Sequence, residues 1–258
     1  MIILKKKKII FSIVKVIFDA SEDLRNIIKA DIINVFYSDY PPKESLFLYK
    51  STTYTARIDL QQSIDNIRDY FTKTIRNEIS RAKREGVNVK VYLPKEIASS
   101  HSLVDYFLCE YKKFCKIEKY SKIVNYFDSD EILKLAEQNN VYITEASFND
   151  GKVFHIYYCD EKNTMLKFSF FSNKENTDKN VIGRANKYLH YYDICMFKNI
   201  GLINYDWGGI FDINNPNGID KFKLSFGPTT YVVYCYYQGK TILGKLIVLV
   251  FKIIKNLL

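Results

Sequence analysis

The stretch from Gly201 to Gly227 constrains the fold of this chain more than any other, because it holds five of the ten glycines and the only tryptophan. Leu202 to Tyr205 is a mostly apolar run that predicts a short buried strand ending at Asp206. Glycine has no Cβ to obstruct the backbone, so Trp207-Gly208-Gly209 predicts a tight turn or a backbone that lies against a bound group.

The second half of the stretch predicts a loop followed by a helix. Residues 214–218 read Asn-Asn-Pro-Asn-Gly, which is the composition of a turn. Residues 221–226 place two lysines and two phenylalanines on a short helical segment. A carboxylate at a strand end, a Gly-Gly break and an ammonium on the next element favour a binding or catalytic site. The alternative interpretation is a strand–loop–helix connection whose charges are solvated.

The same stretch resembles the closing signature of the FemAB/FemX-type acyltransferases, a family built on the GNAT (N-acetyltransferase) fold. The resemblance is carried by Tyr205-Asp206-Trp207-Gly208-Gly209, by Gly218-Ile219 and by Phe222-Lys223-x-x-Phe226-Gly227. Members of the family add amino acids to the peptide of cell-wall precursors, and relatives acylate amino groups on other envelope molecules. The resemblance therefore implies an α/β fold with a GNAT-like mixed β-sheet flanked by helices.

Two more motifs follow the family's order. The first is Asp59-Leu60 with Arg76-x-x-Ile79-x-Arg81-Ala82 and Glu85-Gly86-Val87-x-Val89. The second is Ala185-Asn186-Lys187-Tyr188-Leu189-His190, leading through Phe197-Lys198 to Gly201. The resemblance covers about residues 57–237, with one GNAT unit where full FemX-type enzymes have two and without a long helical arm.

Composition limits the partners and the compartment. The chain has 258 residues and a net charge of +9, which favours an anionic partner such as a phosphate-bearing cofactor, nucleic acid or a membrane surface. Its five cysteines are an odd number without a Cys-x-x-Cys pair, which is typical of reduced thiols in a cytosolic protein. Its three histidines are far apart in sequence, so no metal centre is expected.

The hydrophobic pattern predicts one compact unit. The N-terminal extension (1–55) is expected to hold a strand at Ile9–Phe18, a helix at Asp23–Tyr37 and a strand at 46–58. The GNAT-like domain (56–238) is expected to begin with one helix, capped by Asp59 and stopped at Gly86. A strand at Val87–Leu93 and helices at Ser102–Lys119 and Asp130–Gln138 are expected next. They are followed by a meander at 141–148, 152–159 and 164–171, with a turn at Asn149-Asp150-Gly151. The last expected elements are a helix at Asn180–Asn199, with an apolar stripe from Val181 to Met196, and a strand at Thr230–Tyr237.

Several side chains outside the glycine-rich stretch are candidate ligand contacts. Asn180-x-x-Gly183-x-Ala185 is a degraded form of the loop by which GNAT enzymes hold the CoA pyrophosphate, because a helix N-terminus points amide N–H groups at phosphate oxygens. Gly183, Arg184, Ala185 and Asn186 are therefore the predicted donor-binding residues; the alternative is an ordinary helix start. The predicted substrate contacts are Arg76, His155, His190, Trp207, Gly208 and Gly209. For Arg76 the alternative is a solvated helix face, and for His155 it is a packed strand residue.

The tail from Gly239 to Leu258 predicts an amphipathic helix. Its polar residues fall within an arc of about 100° on a helical projection, and the rest of the helix is apolar. Three lysines argue against a transmembrane span and favour an interfacial helix. The alternative is a helix packed on the domain or on a second copy.

The hypothesis from the sequence is an N-acyltransferase acting on an amine of a cell-envelope glycan or peptidoglycan precursor, with a lipid-linked precursor among the candidate acceptors. The donor is acetyl-CoA or aminoacyl-tRNA, and no metal is expected. The resemblance places Lys223 near the carbonyl or the leaving oxygen, and Asp206 is expected to orient the acceptor amine or Lys223; the competing role for Asp206 is to cap the Gly-Gly turn. We expect a cytoplasmic protein, held at the inner membrane face through residues 239–258. The rival hypothesis is a non-catalytic basic module that binds RNA or an anionic glycan on a degenerate GNAT scaffold. The interleaved tyrosines and lysines around 106–126 would suit such binding.

Overall fold

The computed structural model describes residues 1–18, 28–120, 123–124, 126–149, 151–173 and 177–257. Its strands are β1 Ile2–Lys7, β2 Ser12–Ile17, β3 Ile32–Ser38, β4 Leu48–Asp59, β5 Asn88–Tyr92, β6 Val141–Phe148, β7 Gly151–Cys159, β8 Asn163–Asn173, β9 Asn204–Ile210 and β10 Thr229–Gly239. Its helices are α1 Ile64–Asp69, α2 Lys73–Arg84, α3 Pro94–Ala98, α4 His101–Ile117, α5 Ser129–Glu137, α6 Lys179–Asn199, α7 Gly218–Leu224 and α8 Ile242–Leu257.

The chain divides into two compact units. The first comprises Met1–Thr55, Gly209–Asn217 and Thr230–Leu258, and the second comprises Ala56–Gly208 and Gly218–Thr229. The predicted class, a mixed β-sheet flanked by helices, is confirmed. The first unit brings together residues from both ends of the chain, which the sequence placed in separate segments.

In the first unit the strands follow the order β1-β2-β3-β10, with the first part of β4 next to β10. β1 and β2 form an antiparallel hairpin, β2 and β3 are parallel, and β3 and β10 are antiparallel. Alternate β-branched side chains such as Val14, Val16, Ile33 and Val35 fill one core cluster. The predicted helix at Asp23–Tyr37 is wrong over the described part: β3 lies there, because Ile32–Val35 pair with strands on both sides. Residues 23–27 lie outside the described residues.

In the second unit the last part of β4 is followed by β9-β8-β7-β6-β5. The predicted meander is confirmed as β6, β7 and β8, with β9 parallel to β8. Helices α2 and α6 pack on this sheet through a small-residue cluster that includes Ala82, Ala146 and Ala185. Of the predicted turn at 149–151, Asp150 lies outside the described residues.

Two boundaries differ from the prediction. The single helix capped by Asp59 is wrong, because β4 runs to Asp59 and two helices follow, α1 capped by Ser63 and α2 capped by Thr72. The strand expected to stop at Asp206 instead continues through Gly208, which bends it with a φ of +74°. Gly86, with a φ of +76°, follows the end of α2 as predicted.

The tail forms α8 and packs on the first unit. The Phe251 ring lies 5.0 Å from that of Tyr49 and 5.5 Å from that of Tyr237, and Val248 is buried. The predicted helix is confirmed over Ile242–Leu257. Among the helices in the described part of the chain, none is long and apolar enough to cross a bilayer.

Candidate functional site

Aromatic packing in the second unit fixes the position of Lys223. On α7, Phe222 lies 6.1 Å from the Trp207 ring, and Phe226, just beyond the helix, lies 4.6 Å from it. His190 of α6 lies 4.4 Å from Trp207 on another side. The rings of Trp207, His190 and Phe226 are buried and that of Phe222 is partly buried, so these contacts hold α7, and Lys223 with it, against the cluster.

Lys223 is partly buried among ionisable groups. Burial lowers the pKa of its ammonium, while the nearby carboxylates of Asp220 and Asp206 act in the opposite direction. Its charge, together with burial and His155, also holds the pKa of His190 well below the usual range. Lys223, Asp206 and His190, which the sequence placed on three different elements, are thus close enough to act on one another.

Asp206 is a buried carboxylate with two fixed partners. Its Oδ2 accepts from Arg57 Nε at 2.8 Å, and its Oδ1 accepts from the Gly208 amide at 2.7 Å. The second bond stabilises the bend of β9 at Gly208, where φ is positive. Asp206 therefore shapes the Gly-Gly segment, which is one of the two roles that the sequence left open. Its role in orienting Lys223 or the acceptor amine stays a prediction.

The ladder between β8 and β9 ends next to Asp206. The parallel ladder between β8 and β9 covers three residue pairs and ends at Met165–Asp206, although both strands continue beyond it. The indole Nε1 of Trp207, one residue further, is buried without a hydrogen-bond partner among the described residues. An orphaned buried donor is costly unless a ligand fills it.

A hydrogen-bonded chain leads from His190 into the core. His190 Nδ1 lies 2.8 Å from the Tyr205 hydroxyl, which lies 2.7 Å from the Tyr157 hydroxyl, which donates to Asp193 Oδ2 at 2.7 Å. Because Tyr157 donates to Asp193, its oxygen accepts from Tyr205, and the Tyr205 oxygen accepts from His190 Nδ1–H. The chain thus fixes the tautomer of His190 with its proton on Nδ1.

His155 occupies the same buried network. Its Nδ1 lies 2.7 Å from Asp193 Oδ2 and its Nε2 lies 2.8 Å from Asn186 Oδ1. Its ring stacks on that of His190 at 4.0 Å, and both rings are almost completely buried. The position favours the packed role for His155, and its contact with a substrate stays a prediction.

His155, His190 and Asp193 could also hold a metal ion, since one ligand atom from each lies within 4.8 Å of the others. The cluster could not be predicted from the sequence, because His155 lies 35 residues or more before the other two. In the structure three of the four imidazole nitrogens bond to Asp193, Asn186 and Tyr205, whereas Asp193 Oδ1 is buried without a hydrogen-bond partner among the described residues.

The other predicted donor-binding residues lie inside α6. The helix begins at Lys179, and Asp178 accepts from the amides of its first turn at 2.8, 3.0 and 3.3 Å. Arg184 donates to Glu85 through Nε and Nη2 at 2.8 and 3.1 Å, and Ala185 is fully buried. Gly183 lies two helical turns before His190 on the same face, about 10 Å away along the axis. The donor role of residues 183–186 stays a prediction.

The structure gives Arg76 and Gly209 local partners. Arg76 Nη1 donates to the carbonyls of Arg68, at 3.4 Å, and Asp69, at 3.2 Å, and to the carbonyl of Phe71. These hydrogen bonds satisfy carbonyl groups at the C-terminal end of α1. Gly209, which belongs to the first unit, lies where an added Cβ would come within 3.1 Å of the Tyr37 hydroxyl. Their predicted substrate contacts are untested.

Sequence reasoning missed part of this network, and one signal for it was present. Asn186, His190 and Asp193 recur at intervals of four and three residues, which places three polar side chains on one stripe of α6. His190 and Asp193 of that stripe are buried and Asn186 is partly buried. In the predicted apolar stripe, Ala185 and Leu189 are buried, whereas Tyr192 is exposed. Arg57 and Asp220 carried no comparable signal.

No protein-family model and no curated protein matches the chain. Among solved structures, the C-terminal domain of a protein assigned as a lysylphosphatidylglycerol synthetase from Agrobacterium fabrum matches with a TM-score of 0.56 and 12% identity, over 97% of this chain and 84% of that one. L-PGS from Bacillus licheniformis matches with a TM-score of 0.53 and 14% identity, over 97% and 85%. FemX matches with a TM-score of 0.50 and 13% identity, over 95% and 86%. The chain therefore has a fold similar to that of FemX, and the resemblance carried by its motifs is confirmed at the level of the fold.

Proposed function

We propose that this chain is an N-acyltransferase that carries an acetyl group from acetyl-CoA or an aminoacyl group from aminoacyl-tRNA to an amine on a cell-envelope precursor. The observation that carries the proposal is the position of Lys223, partly buried beside Asp206, Asp220 and His190 in a fold similar to that of FemX. The similarity to two lysylphosphatidylglycerol synthetase structures and to FemX supports aminoacyl transfer in cell-envelope synthesis. An amine on a glycan or a peptidoglycan precursor as the acceptor is the finer part of the proposal.

Acyl transfer to an amine requires a fixed positive charge and fixed hydrogen-bond donors that stabilise the oxyanion of the intermediate. The acceptor amine attacks the donor carbonyl, a C–N bond forms and the carbonyl oxygen gains a negative charge. The intermediate then loses the CoA thiolate or the tRNA oxygen, and the nitrogen releases its extra proton. Lys223 as an ammonium stabilises the oxyanion, and the orphaned Nε1–H of Trp207 is the second donor. A lowered pKa also makes Lys223 a stronger acid toward the leaving group.

The surrounding groups keep this site in one charge state. His190 is held neutral with its proton on Nδ1, so it does not repel the ammonium of Lys223 or the amine of the acceptor. Asp206, fixed by Arg57, acts as a positioning residue through the bend at Gly208.

Placement at the inner membrane face is part of the proposal. α8 carries lysines and no acidic residue, and its face away from the sheet is apolar and exposed. A lipid-linked acceptor would then meet the enzyme at a surface to which both are confined.

The direct test is to identify the donor. We expect mass spectrometry of the purified protein to detect bound CoA or tRNA, and we expect added acetyl-CoA or charged tRNA to be turned over in the presence of an envelope extract. Binding of RNA or an anionic glycan without turnover of either donor would favour the binding-module hypothesis instead.

A further inference from the structure

The tip of the β1–β2 hairpin is unusual for a turn. The Lys8 amide donates to the Phe11 carbonyl at 2.8 Å, which makes residues 8–11 a tight turn with Ile9 and Ile10 at its centre. Ile9 is fully exposed and Ile10 is 70% exposed. Turns normally carry glycine, proline, asparagine or aspartate, so two exposed isoleucines there are unexplained by the fold.

The hairpin also carries a block of positive charge. Lys5, Lys6, Lys7 and Lys8 are all exposed, and residues 1–18 contain no acidic side chain. Lysines on an edge strand such as β1 prevent edge-to-edge pairing, and that role accounts for part of the block. It does not account for the isoleucines at the tip, which would promote the association that the lysines oppose.

α8 presents a second surface of the same character. Ile242, Leu246, Val250 and Ile253 recur at helical spacing; Ile242 is 81% exposed and the others are about half exposed. The opposite side of the helix holds the buried residues Gly244 and Val248. Lys245 and Lys252 flank the exposed face, and residues 239–258 contain no acidic side chain.

One carboxylate joins the two surfaces within the first unit. Asp31 Oδ2 accepts from the Ser12 amide and hydroxyl at 2.8 and 2.9 Å, and Asp31 Oδ1 accepts from the Thr241 hydroxyl at 2.7 Å. Ser12 follows the hairpin tip by two residues, and Thr241 precedes α8. Because consecutive Cα atoms are 3.8 Å apart, Ile10 lies within about 8 Å of Ser12 and Ile242 about 4 Å from Thr241, so both surfaces begin close to the Asp31 carboxylate. These hydrogen bonds also lower the pKa of Asp31, so the carboxylate stays ionised at neutral pH.

We propose that the hairpin tip and the exposed face of α8 together form one docking surface for a bilayer of anionic phospholipid. The isoleucines of the tip and the aliphatic face of α8 enter the boundary between headgroups and acyl chains, and the lysines contact lipid phosphates. Two apolar anchors attach more firmly than one, because binding of the first confines the second to the surface. The inference does not depend on acyl transfer.

The test is co-sedimentation of the full chain with vesicles of phosphatidylcholine, with and without phosphatidylglycerol. We expect binding to the vesicles that contain phosphatidylglycerol. The double substitutions Ile9→Asp/Ile10→Asp and Leu246→Asp/Val250→Asp should each weaken that binding about tenfold or more, a change equivalent to about 1.4 kcal/mol. Ile117→Asp is the matched control, because Ile117 is an exposed apolar residue of α4; it should bind as the parent does.

Substitution is a sharper test than deletion of the tail, since α8 also covers Tyr49 and Tyr237. Circular dichroism and thermal unfolding establish that the variants are folded. Parental binding by the hairpin variant would overturn the two-part surface. Absence of vesicle binding by the parent, with a dimer that either double substitution converts to a monomer, would show that a second copy covers this face. Because no turnover is measured, either result leaves acyl transfer itself standing, whereas absence of vesicle binding by the parent would also contradict placement at the membrane face.

Discussion

At the scale of single residues, burial decides the chemistry of the polar groups in the second unit. Burial lowers the pKa of Lys223 because solvent is excluded from its ammonium, and the carboxylates of Asp220 and Asp206 act in the opposite direction. Burial also lowers the pKa of His190 well below its usual range, and His155 and Lys223 act in the same direction. The result is one cation beside a neutral imidazole, which is an arrangement that stabilises a developing oxyanion.

The hydrogen-bonded chain below His190 predicts the effect of removing one hydroxyl. In Tyr205→Phe, His190 Nδ1–H loses its acceptor and the Tyr157 oxygen loses its donor. We expect the free energy of unfolding to fall by about 1–3 kcal/mol, because buried polar groups are left unsatisfied. Tyr142→Phe is the control, since the Tyr142 hydroxyl bonds to none of the described residues. Denaturant unfolding of both variants measures the difference, and equal losses would contradict the chain.

Lys167 predicts a pH dependence of stability. It lies in β8 at a register shift, and burial lowers its pKa to about 8, against the weaker opposing effect of Glu131. Between pH 8 and the ordinary lysine value, the unfolded chain binds a proton at this position that the folded chain does not, so stability rises with pH in that window. Below pH 8 both states are protonated and the cost of the buried charge is fully present.

The variant Lys167→Met removes that cost. We expect it to be more stable than the parent by roughly 1–3 kcal/mol below pH 8, with the difference shrinking as pH rises toward 10.5. Thermal unfolding of both proteins across this range measures it. A difference that does not change with pH would mean that the ammonium keeps an ordinary pKa.

At the scale of elements, α7 is held in place at its C-terminal end. The Thr72 amide at the start of α2 donates to the Ser225 carbonyl at 3.0 Å, and Gly227 follows with a φ of +66°. A Cβ on Gly227 would lie 2.5 Å from Tyr70 Cβ and 2.6 Å from the Tyr70 carbonyl oxygen. The glycine that closes the Phe-Lys-x-x-Phe-Gly motif therefore permits the contact that fixes the helix of Lys223.

Gly227→Ala should be strongly unfavourable. Both the positive φ and the contact with Tyr70 oppose it, and we expect a loss of about 2–4 kcal/mol in the free energy of unfolding, with a loss of activity. Gly218→Ala is the matched control on the same helix, because nothing lies within 4 Å of its added Cβ and its φ is not positive. If both variants unfold alike, the close approach at Tyr70 is not what holds α7.

The elements also show what could be predicted from sequence. The meander, α6 and the closing strand follow period-2 and period-3.6 patterns, and the structure confirms them. β3 was mistaken for a helix because its apolar residues, buried on both faces, do not alternate. Lys223 and Asp206 were found through the motif, whereas Arg57 and the Tyr157–Asp193 contact depend on residues brought together from distant strands and helices.

At the scale of the whole molecule, the chain combines a site-bearing unit with a unit that carries a basic and apolar surface. The second unit contains Lys223, Asp206 and the buried histidines, and the first contains the hairpin tip and α8. A unit with the candidate site and a unit with a basic and apolar surface would suit an enzyme whose acceptor is anchored in a membrane. The similarity to FemX covers 95% of the chain, so both units contribute to it.

The most direct test of the central claim is the rate of acyl transfer by Lys223→Ala, measured beside Lys221→Ala. Both substitutions remove one lysine from α7, but Lys221 is exposed and Lys223 is partly buried near Asp206. With the donor identified by mass spectrometry, we expect Lys223→Ala to lose about 10²–10³-fold in rate with the fold intact, as for removal of one oxyanion donor, and Lys221→Ala to stay within a few-fold of the parent. A folded Lys223→Ala that turns over as fast as Lys221→Ala would contradict the account.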